Sequence, residues 1–376
     1  MKFKNTDLQI GRFRDMGLGT TILSSLEEIK ITTPTPVQSQ SIPLILEGAD
    51  AVVIAQTGSG KTLAYVLPIL TALENRPTAR ALVFAPSREV AAQIHKVFLQ
   101  MLVGKGLLPC LIIGGQPNKE QESQLRKKPR IIVATPGRLN DHLQTNKLLL
   151  QNVEVMVIDE ADRMLDMGFS PQLDSIRKTM RGSWQTLMFS ASFGKTVETM
   201  AEKILRSEPY LIRAERAETP VAELKQKVFF LDRGMKNDCV AEELKKIKGG
   251  VIVFAANQSS CESIGQHLKE NGFSCDFIHG GLNSGHRDRV LRELRDKKIQ
   301  IMITTDLLAR GLDVPHIECV VNYDLPTEPE DFLHRIGRTA RAGREGRALT
   351  FVTPKDLEMY KKIKVYLPGA EEFGQI

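Results

Sequence analysis

The pattern of apolar and polar positions divides most of the chain into short buried strands that alternate with helices. From residue 51 onward, brief apolar runs recur, and each is followed by polar or small residues. In the first half these runs are AVVIA, ALVFA, LII, IIVA, VMVI and TLMF, and in the second half KVFFLD, VIVFAA, CDFIHG, IQIMITTD, CVVNYD and ALTFVT. Unbroken apolar strands separated by helical segments are typical of a parallel sheet with helices on both faces. The pattern therefore predicts an α/β fold.

The two ends of the chain follow a helical pattern. Apolar residues at positions 18, 22, 26 and 29 predict a first helix. Pro34 and Pro36 predict an extended turn, after which Gln38 begins the next helix. The segment 357–366 predicts a closing helix.

The length of 376 residues and one polar stretch predict two domains. A domain usually holds about 100–200 residues, so a single core is improbable for this chain. The segment RAERAETPVA at 213–222 is charged and contains few apolar residues, which is typical of an interdomain linker. We place the first domain at 1–214, the linker at 215–222 and the second domain at 223–376. The alternative is an ordinary surface connection between a helix and a strand.

Composition limits the class of protein. The chain is 42% hydrophobic and 26% charged, as in ordinary globular proteins, and its net charge of +6 permits a polyanionic partner. The five cysteines are scattered without CxxC spacing, which favours free thiols in a reducing compartment. Neither an 18-residue apolar window nor a secretory signal is found, so the sequence predicts a soluble intracellular protein without a membrane span.

The stretch VVIAQTGSGKT at 52–62 predicts a phosphate-binding loop between a strand and a helix. Backbone N–H groups of such a loop point at an anion, and glycine lets the backbone approach it closely. Lys61 can reach the terminal phosphates, and the Thr62 hydroxyl can ligate Mg²⁺. Ala55 stands where the strict pattern has glycine. The alternative is a plain glycine-rich turn.

Acidic and basic motifs complete the predicted chemistry. Asp159, directly after an apolar strand, is placed to hold Mg²⁺, and Glu160 to polarise the attacking water. In HRIGRTARAGREGR, arginines recur at every third position, which is also compatible with a solvated basic face. We interpret Arg338 and Arg341 as arginine fingers that reach the γ-phosphate from the other domain.

The order of these motifs resembles the core of the DEAD-box RNA helicases over nearly the whole chain. The resemblance rests on PTPVQ, AQTGSGKT, PSRE, the glycine pair 114–115, TPGR, DEAD at 159–162, SAS at 190–192, TTD, ARGLD and HRIGRTAR. It implies two tandem RecA-like domains, each a mainly parallel sheet with helices on both faces. It also implies ATP and Mg²⁺ at the domain interface and RNA lying across both domains.

The resemblance assigns roles residue by residue. The nucleotide would be bound by an adenine-reading segment, the phosphate loop and a ribose contact: Phe13, Ile31, Gln38, Ala55, Gln56, Thr57, Gly58, Ser59, Gly60, Lys61, Thr62 and Asp313. RNA would be contacted by Pro86, Arg88, Gly115, Thr135, Arg138, Thr305 and Asp306. Coupling of the two activities would involve Asp162, Ser190, Ser192 and His334. The metal would be held by Thr62 and Asp159.

Several positions depart from the family pattern, among them Ser192, where threonine is usual. Ile31 replaces an aromatic residue that usually stacks on adenine, and Ser284 replaces a common glutamine ahead of Arg287. Ala340 replaces a frequent glycine, which we expect to be a mild change. None of these departures touches the phosphate chemistry.

The implied function is RNA-stimulated ATP hydrolysis coupled to local, non-processive unwinding of short RNA duplexes or remodelling of RNA–protein complexes. Contacts to phosphates and 2′-hydroxyls predict binding that is largely independent of sequence. The alternatives are an ATP-gated RNA clamp and a double-stranded DNA translocase. We expect a monomer in the cytoplasm, the nucleus or an organelle, with possible protein cofactors.

Overall fold

The chain forms two compact units, Met1–Ala217 and Glu218–Ile376. The structure is a computed structural model that describes residues 2–6, 8–56, 58–102, 107, 109–146, 149–206, 208–214, 224–306, 317–340 and 345–374. The boundary between the units falls inside the predicted linker, whose residues 215–222 lie outside the described ranges. The domain limits themselves stay a prediction.

The first domain is built on one sheet that contains seven strands among the described residues. These are β1 (Ala51–Ile54), β2 (Arg80–Phe84), β3 (Pro109–Ile112), β4 (Ile131–Ala134), β5 (Val153–Ile158), β6 (Gln185–Ser190) and β7 (Tyr210–Arg213). Their order is β3-β4-β2-β5-β6-β1-β7, and each neighbouring pair is parallel.

The helices of the first domain cover both faces of its sheet. They are α1 (Thr20–Glu28), α2 (Pro36–Leu46), α3 (Lys61–Asn75), α4 (Arg88–Met101), α5 (Asn118–Arg126), α6 (Pro136–Thr145), α7 (Ala161–Asp166), α8 (Ser170–Thr179) and α9 (Lys195–Ile204). Alternate strand residues serve two cores: Val53 and Val83 pack with α1 to α4, whereas Val52 and Leu82 pack with α5 to α9. Burial on both faces explains why these strands read as unbroken apolar runs.

The second domain repeats this strand order. Its described strands are β8 (Leu224–Phe230), β9 (Gly250–Phe254), β10 (Cys275–Ile278), β11 (Ile301–Thr304), β12 (Ile317–Asn322), β13 (Gly346–Val352) and β14 (Glu371–Phe373), in the order β10-β11-β9-β12-β13-β8-β14. The described helices are α10 (Lys236–Leu244), α11 (Gln258–Glu270), α12 (Ser284–Arg295), α13 (Pro329–Ile336) and α14 (Leu357–Ile363). The predicted α/β class is confirmed.

Three local expectations were wrong. Helix α2 begins at Pro36 and not at Gln38, because proline suits the first helical position, where its missing N–H has no partner anyway. The closing helix ends at Ile363 and continues only as a 3₁₀ turn, Lys364–Tyr366. Two edge strands were missed: β14 (EEF) lacks an apolar run, whereas β7 (YLIR) was overlooked although it contains a short one.

Two further observations bear on the class of protein. All five cysteines are free thiols, as predicted. Among the described residues, we find no helix with the length and apolar character needed to cross a bilayer.

Candidate active site

The phosphate loop joins β1 to α3 at the carboxyl edge of the first sheet. Lys61 is the first residue of α3 and is buried, and its Nζ donates to the Ala55 carbonyl at 2.8 Å. Ala55 N in turn donates to the Ser190 carbonyl at 3.0 Å, which fixes the loop to the end of β6. The predicted strand, loop and helix are therefore present in the expected order. Thr57 lies outside the described residues.

Gly60 is a position that only glycine fits. Its φ of 93° lies in the left-handed region, and a Cβ there would come within 2.5 Å of the Gln38 amide nitrogen. Gln38 is buried at the start of α2; its Nε2 donates to the Gly60 carbonyl at 3.1 Å, and its Oε1 accepts from Thr35 N at 3.0 Å. The amide that we assign to adenine thus holds the phosphate loop in this structure. Its contact with the base stays a prediction.

Phe13 and Ile31 flank this segment from the core side. Phe13 is buried in a short 3₁₀ turn, Phe13–Met16, and belongs to the core under α1 to α4. Ile31 is half-buried against the same core. Both residues therefore support the fold of the adenine-reading segment, whatever contact they make with a nucleotide.

Asp159 is the central carboxylate of the site. It follows β5 and is only 5% exposed, and its two oxygens accept from the Tyr65 hydroxyl and from Glu160 N, each at 2.9 Å. Burial raises the pKa of Asp159 to about 6, the Lys61 charge opposes that rise, and the Glu160 charge adds to it. A buried carboxylate with a raised pKa at the end of a strand is a candidate functional group.

Glu160 lies at the entrance to α7 in a left-handed conformation, with φ of 50°. A non-glycine residue is rarely held there, and such strain is often found at functional sites. The Glu160 carboxylate pairs with the buried Arg163 guanidinium at 3.0 Å. Arg163 was not among the predicted site residues, although it directly follows the DEAD motif.

Asp162 links the acidic motif to the loop after β6. Its Oδ2 accepts from Ala191 N at 3.1 Å, from Ser192 N at 3.2 Å and from the Ser192 hydroxyl at 3.3 Å. Ser190 is fully buried, and its Oγ has no hydrogen-bond partner among the described residues. Of the four residues assigned to coupling, Asp162 and Ser192 are hydrogen-bonded to each other, and Ser190 lies next to them.

The predicted RNA contacts of the first domain also come together. Arg88, which starts α4, packs its guanidinium on Gly114 and Gly115, so closely that a Cβ on Gly115 would overlap it. Arg138 donates to the Gln116 carbonyl. Pro86 and Thr135 precede α4 and α6, and the Thr135 amide donates to Ile112 at 3.0 Å. Loops that follow β2, β3 and β4 therefore form one polar surface.

In the second domain, the predicted RNA contact Asp306 is paired with a buried arginine, Arg335. Arg335 is 2% exposed, and its guanidinium grips the two Asp306 oxygens at 2.6 Å each. It also donates to the Asp324 carbonyl at 2.5 Å and lies over the Phe254 ring. Because the Asp306 carboxylate is already paired, its assignment to RNA binding stays a prediction that the side chain does not favour.

Of the two arginines that we interpret as fingers, only Arg338 lies among the described residues. Arg338 is buried at the end of α13, and its Nε donates to the His334 carbonyl at 3.3 Å. His334 lies 3.6 Å from Asp331 on the same helix. Thr305 accepts from the Thr304 hydroxyl through its carbonyl at 3.1 Å. Arg341 and Asp313 lie outside the described residues, as does the side chain of Ser284.

Ala340 corrects one expectation. Its φ of 53° lies in the left-handed region, which glycine adopts freely and alanine does not. The exchange of glycine for alanine at this position is therefore not the mild change that we expected.

The donor set suits Mg²⁺. Thr62 and Asp159 offer hard oxygen ligands, and the described residues contain no cluster of three or more His, Cys, Asp or Glu side chains that could hold a metal alone. Mg²⁺ is usually bound by one or two protein oxygens together with substrate phosphates and water. The metal would thus be bound together with a nucleotide.

Comparisons with known proteins identify the family. A DEAD/DEAH box helicase family matches residues 35–200, and a helicase conserved C-terminal domain matches residues 235–343. The ATP-dependent rRNA helicase RRP3 of Encephalitozoon cuniculi is 38% identical over 365 residues, which cover 96% of this chain and 91% of the relative.

Solved structures agree with this assignment. Saccharomyces cerevisiae Dbp5 bound to RNA and ADP BeF3 is 31% identical, with a TM-score of 0.85 over 97% of this chain and 95% of that chain. A Dbp5 variant from the same organism, bound to Gle1, is 30% identical, with a TM-score of 0.78 over the same shares. With two tandem RecA-like domains and the motifs described above, this chain belongs to the DEAD-box family of ATP-dependent RNA helicases.

Proposed function

We propose that residues of both domains together hydrolyse ATP when RNA is bound. The observation that carries this proposal is the cluster at the carboxyl edge of the first sheet, where Lys61, Asp159 and the Asp162–Ser192 unit lie on adjacent strand ends. In open α/β sheets, ligands bind at this edge. The phosphates would lie on the loop that ends at Lys61, with Mg²⁺ held by Thr62 and Asp159.

The reaction transfers a phosphoryl group to water. Water forms a new bond to the γ-phosphorus, the bond from that phosphorus to the β–γ bridging oxygen breaks, and Glu160 takes the proton of the water. Mg²⁺, when bound, neutralises charge on the phosphate oxygens. Lys61 would supply a fixed positive charge for the same oxygens, at a place where little water competes.

The second domain would supply the remaining positive charge through Arg338 and Arg341. An arginine finger contributes about 10³–10⁵ in rate, which corresponds to roughly 4–7 kcal/mol. If so much of the catalysis depends on the second domain, hydrolysis has to wait until that domain approaches the nucleotide. RNA would promote this approach, because its contacts lie on both domains.

RNA recognition would be directed at the backbone. The polar surface formed by Arg88, Gly115 and Arg138 presents guanidinium and backbone groups, which suit phosphates and carry no base code. Opening one base-pair step costs about 1.4 kcal/mol, taking the DNA value as a guide. A closure worth a few kcal/mol would therefore separate only several base pairs, so unwinding would be local.

The relatives suggest where to look for substrates and partners. The Encephalitozoon cuniculi relative is named an rRNA helicase, so we propose ribosomal RNA as the first physiological substrate to test, and the nucleus as the first compartment. A structural neighbour was solved with the protein Gle1, which supports the expectation of a protein cofactor. A monomeric state is proposed for the chain itself.

The proposal is tested by Glu160→Gln. General-base catalysis contributes about 10²–10⁴ in rate, so RNA-stimulated hydrolysis should fall by that factor while ATP and RNA stay bound in a long-lived complex. Glu154→Gln is the matched control, because Glu154 lies on β5 near its other end and pairs with Arg76 at 2.8 Å. Unchanged turnover in Glu160→Gln would exclude Glu160 as the base.

The same preparations distinguish unwinding from clamping. Wild-type protein with ATP should separate a short RNA duplex and release the product strands after hydrolysis. A complex that persists without strand separation would favour the ATP-gated clamp, and efficient opening of duplexes many turns long would contradict local unwinding.

A further inference from the structure

One buried hydroxyl belongs to no motif that we used. Tyr65 lies in the second turn of α3, four residues after Lys61, and its side chain is fully buried. Its hydroxyl donates to Asp159 Oδ2 at 2.9 Å, across 94 residues of sequence. The second Asp159 oxygen accepts from Glu160 N at 2.9 Å. The Tyr65 and Glu160 contacts together fix the orientation of the carboxylate.

The same hydroxyl also interacts with Thr62. Burial and the neighbouring Asp159 charge raise the pKa of Tyr65 well above its usual value, and an interaction with the Thr62 side chain opposes this rise. Thr62 and Tyr65 are three residues apart on one helix, so their side chains lie on the same face. The Tyr65 hydroxyl thus contacts Asp159 and lies on the face of α3 that carries Thr62, and these two residues are the ones assigned to the metal.

The packing of the Tyr65 ring does not explain why this position carries a hydroxyl group. It packs edge-on against Phe189, with ring centroids 5.0 Å apart, inside the core under α1 to α4. Phenylalanine would make the same contact. A buried hydroxyl costs free energy unless it is hydrogen-bonded, so the oxygen is retained here only together with its polar partners. Its hydrogen-bond partner, Asp159, belongs to the proposed metal site.

We propose that Tyr65 is a positioning residue of the magnesium site. Its hydroxyl holds one Asp159 oxygen in a fixed orientation, on the helix face that carries Thr62, before nucleotide and metal arrive. Hydrogen bonds from residues behind the ligands commonly set metal affinity, and their removal typically costs 10–100-fold. The inference rests on the proposed assignment of Thr62 and Asp159 to Mg²⁺.

Tyr65→Phe tests the inference, because it removes one oxygen and keeps the ring. The chain offers a matched control in Tyr360→Phe: Tyr360 is buried in α14 of the second domain, and its hydroxyl donates to Glu372 at 2.6 Å. Binding of fluorescent ADP would be measured by titration with excess Mg²⁺ and again in EDTA. The Mg²⁺ concentration at half-saturation and the unfolding temperature would be recorded for each variant.

The expected result is selective. Tyr65→Phe should bind ADP in EDTA as the wild type does, whereas its affinity with Mg²⁺ should fall about tenfold and the half-saturating Mg²⁺ concentration should rise to match. Tyr360→Phe should show neither change. A Tyr65→Phe protein with wild-type Mg²⁺ dependence would overturn the inference, and so would an equal loss of ADP affinity in EDTA.

Asp159→Asn separates this inference from the proposal on which it depends. If Asp159→Asn removes the Mg²⁺ dependence and Tyr65→Phe leaves it intact, only the positioning role fails. If Asp159→Asn retains the Mg²⁺ dependence, the assignment of the metal site fails, and the role of Tyr65 fails with it.

Discussion

Each domain has a lysine and an aspartate at equivalent positions of the fold, but the hydrogen bonds and ion pairs of these residues differ between the domains. In each domain, a lysine begins the helix after the first strand of that domain, Lys61 after β1 and Lys236 after the short turn that follows β8. In each, an aspartate follows the fourth strand of the sheet order, Asp159 after β5 and Asp324 shortly after β12.

In the second domain the two groups neutralise each other. Lys236 is 2% exposed, and its Nζ lies 3.1 Å from an Asp324 oxygen and 4.6 Å from the Tyr323 ring centroid. The other Asp324 oxygen accepts from Ala256 N at 2.9 Å. Lysine and carboxylate thus form a buried ion pair with a structural role.

In the first domain the glycine-rich loop stands between strand and helix. Lys61 donates to a loop carbonyl, and Asp159 accepts from Tyr65 and Glu160 N. The carboxylate is left buried with a raised pKa, a condition that a bound cation would relieve. Both domains share the fold, and only the first has the glycine-rich loop between its first strand and the lysine. We therefore attribute the availability of Lys61 and Asp159 to a ligand to this loop.

Exchanging each lysine for methionine should therefore have opposite results. Lys61→Met should lower RNA-stimulated hydrolysis by about 10²–10³, because a fixed charge for the phosphates is lost. Its free energy of unfolding should change by only about 1 kcal/mol, the value of one hydrogen bond. Steady-state ATPase assays and calorimetry check both numbers, and full hydrolysis without Lys61 would remove it from the phosphate site.

Lys236→Met should mainly destabilise the second domain. Breaking a buried pair leaves the Asp324 charge without its cation, which costs about 3–5 kcal/mol. Lys225→Met is the control, since its pair with Glu345 at 3.1 Å is exposed and worth at most about 1 kcal/mol. Calorimetric unfolding would resolve the difference. Equal stability of the two variants would show that the Lys236 pair has no structural role.

Asp159→Asn should stabilise the ligand-free first domain above pH 6. Burial raises the pKa of Asp159 from its usual 3.8 to about 6 in the folded state, so the ionised carboxylate destabilises the fold by about 3 kcal/mol at pH 8. This penalty decreases as pH falls from 6 towards 3.8, because the folded state binds the proton more tightly than the unfolded chain.

The fluorescence of Trp184, which packs on a first-domain core, would report this unfolding. The variant should exceed the wild type in stability at pH 8 and match it below pH 4. A constant difference at all pH values would show that charge burial is not the cause.

Of these substitutions, Ala340→Gly should have the smallest effect, a small increase in the free energy of unfolding. Relief of the left-handed conformation is worth about 1 kcal/mol. Calorimetry of the second-domain transition measures it, and a variant less stable than the wild type would mean that the alanine methyl group contributes more by packing than it costs in strain.

Much of this comparison could be predicted from sequence, and the part that could not has a physical reason. Apolar runs predicted the buried strands, whereas the edge strand β14 is exposed and carries no such run. The phosphate loop could be predicted because its glycines, Lys61 and Thr62 lie within eleven consecutive residues. The Tyr65–Asp159 and Arg335–Asp306 contacts join residues far apart in sequence, so only the folded chain shows them.

The account depends most on the claim that an arginine of the second domain completes a site on the first. Single-turnover hydrolysis of bound ATP at saturating RNA tests it directly in Arg338→Ala, with the half-exposed Arg347→Ala as control. We predict that Arg338→Ala binds ATP and RNA nearly as the wild type does and hydrolyses about 10³–10⁵ times more slowly. Hydrolysis within a few-fold of wild type, or an equal loss of RNA binding, would contradict the account.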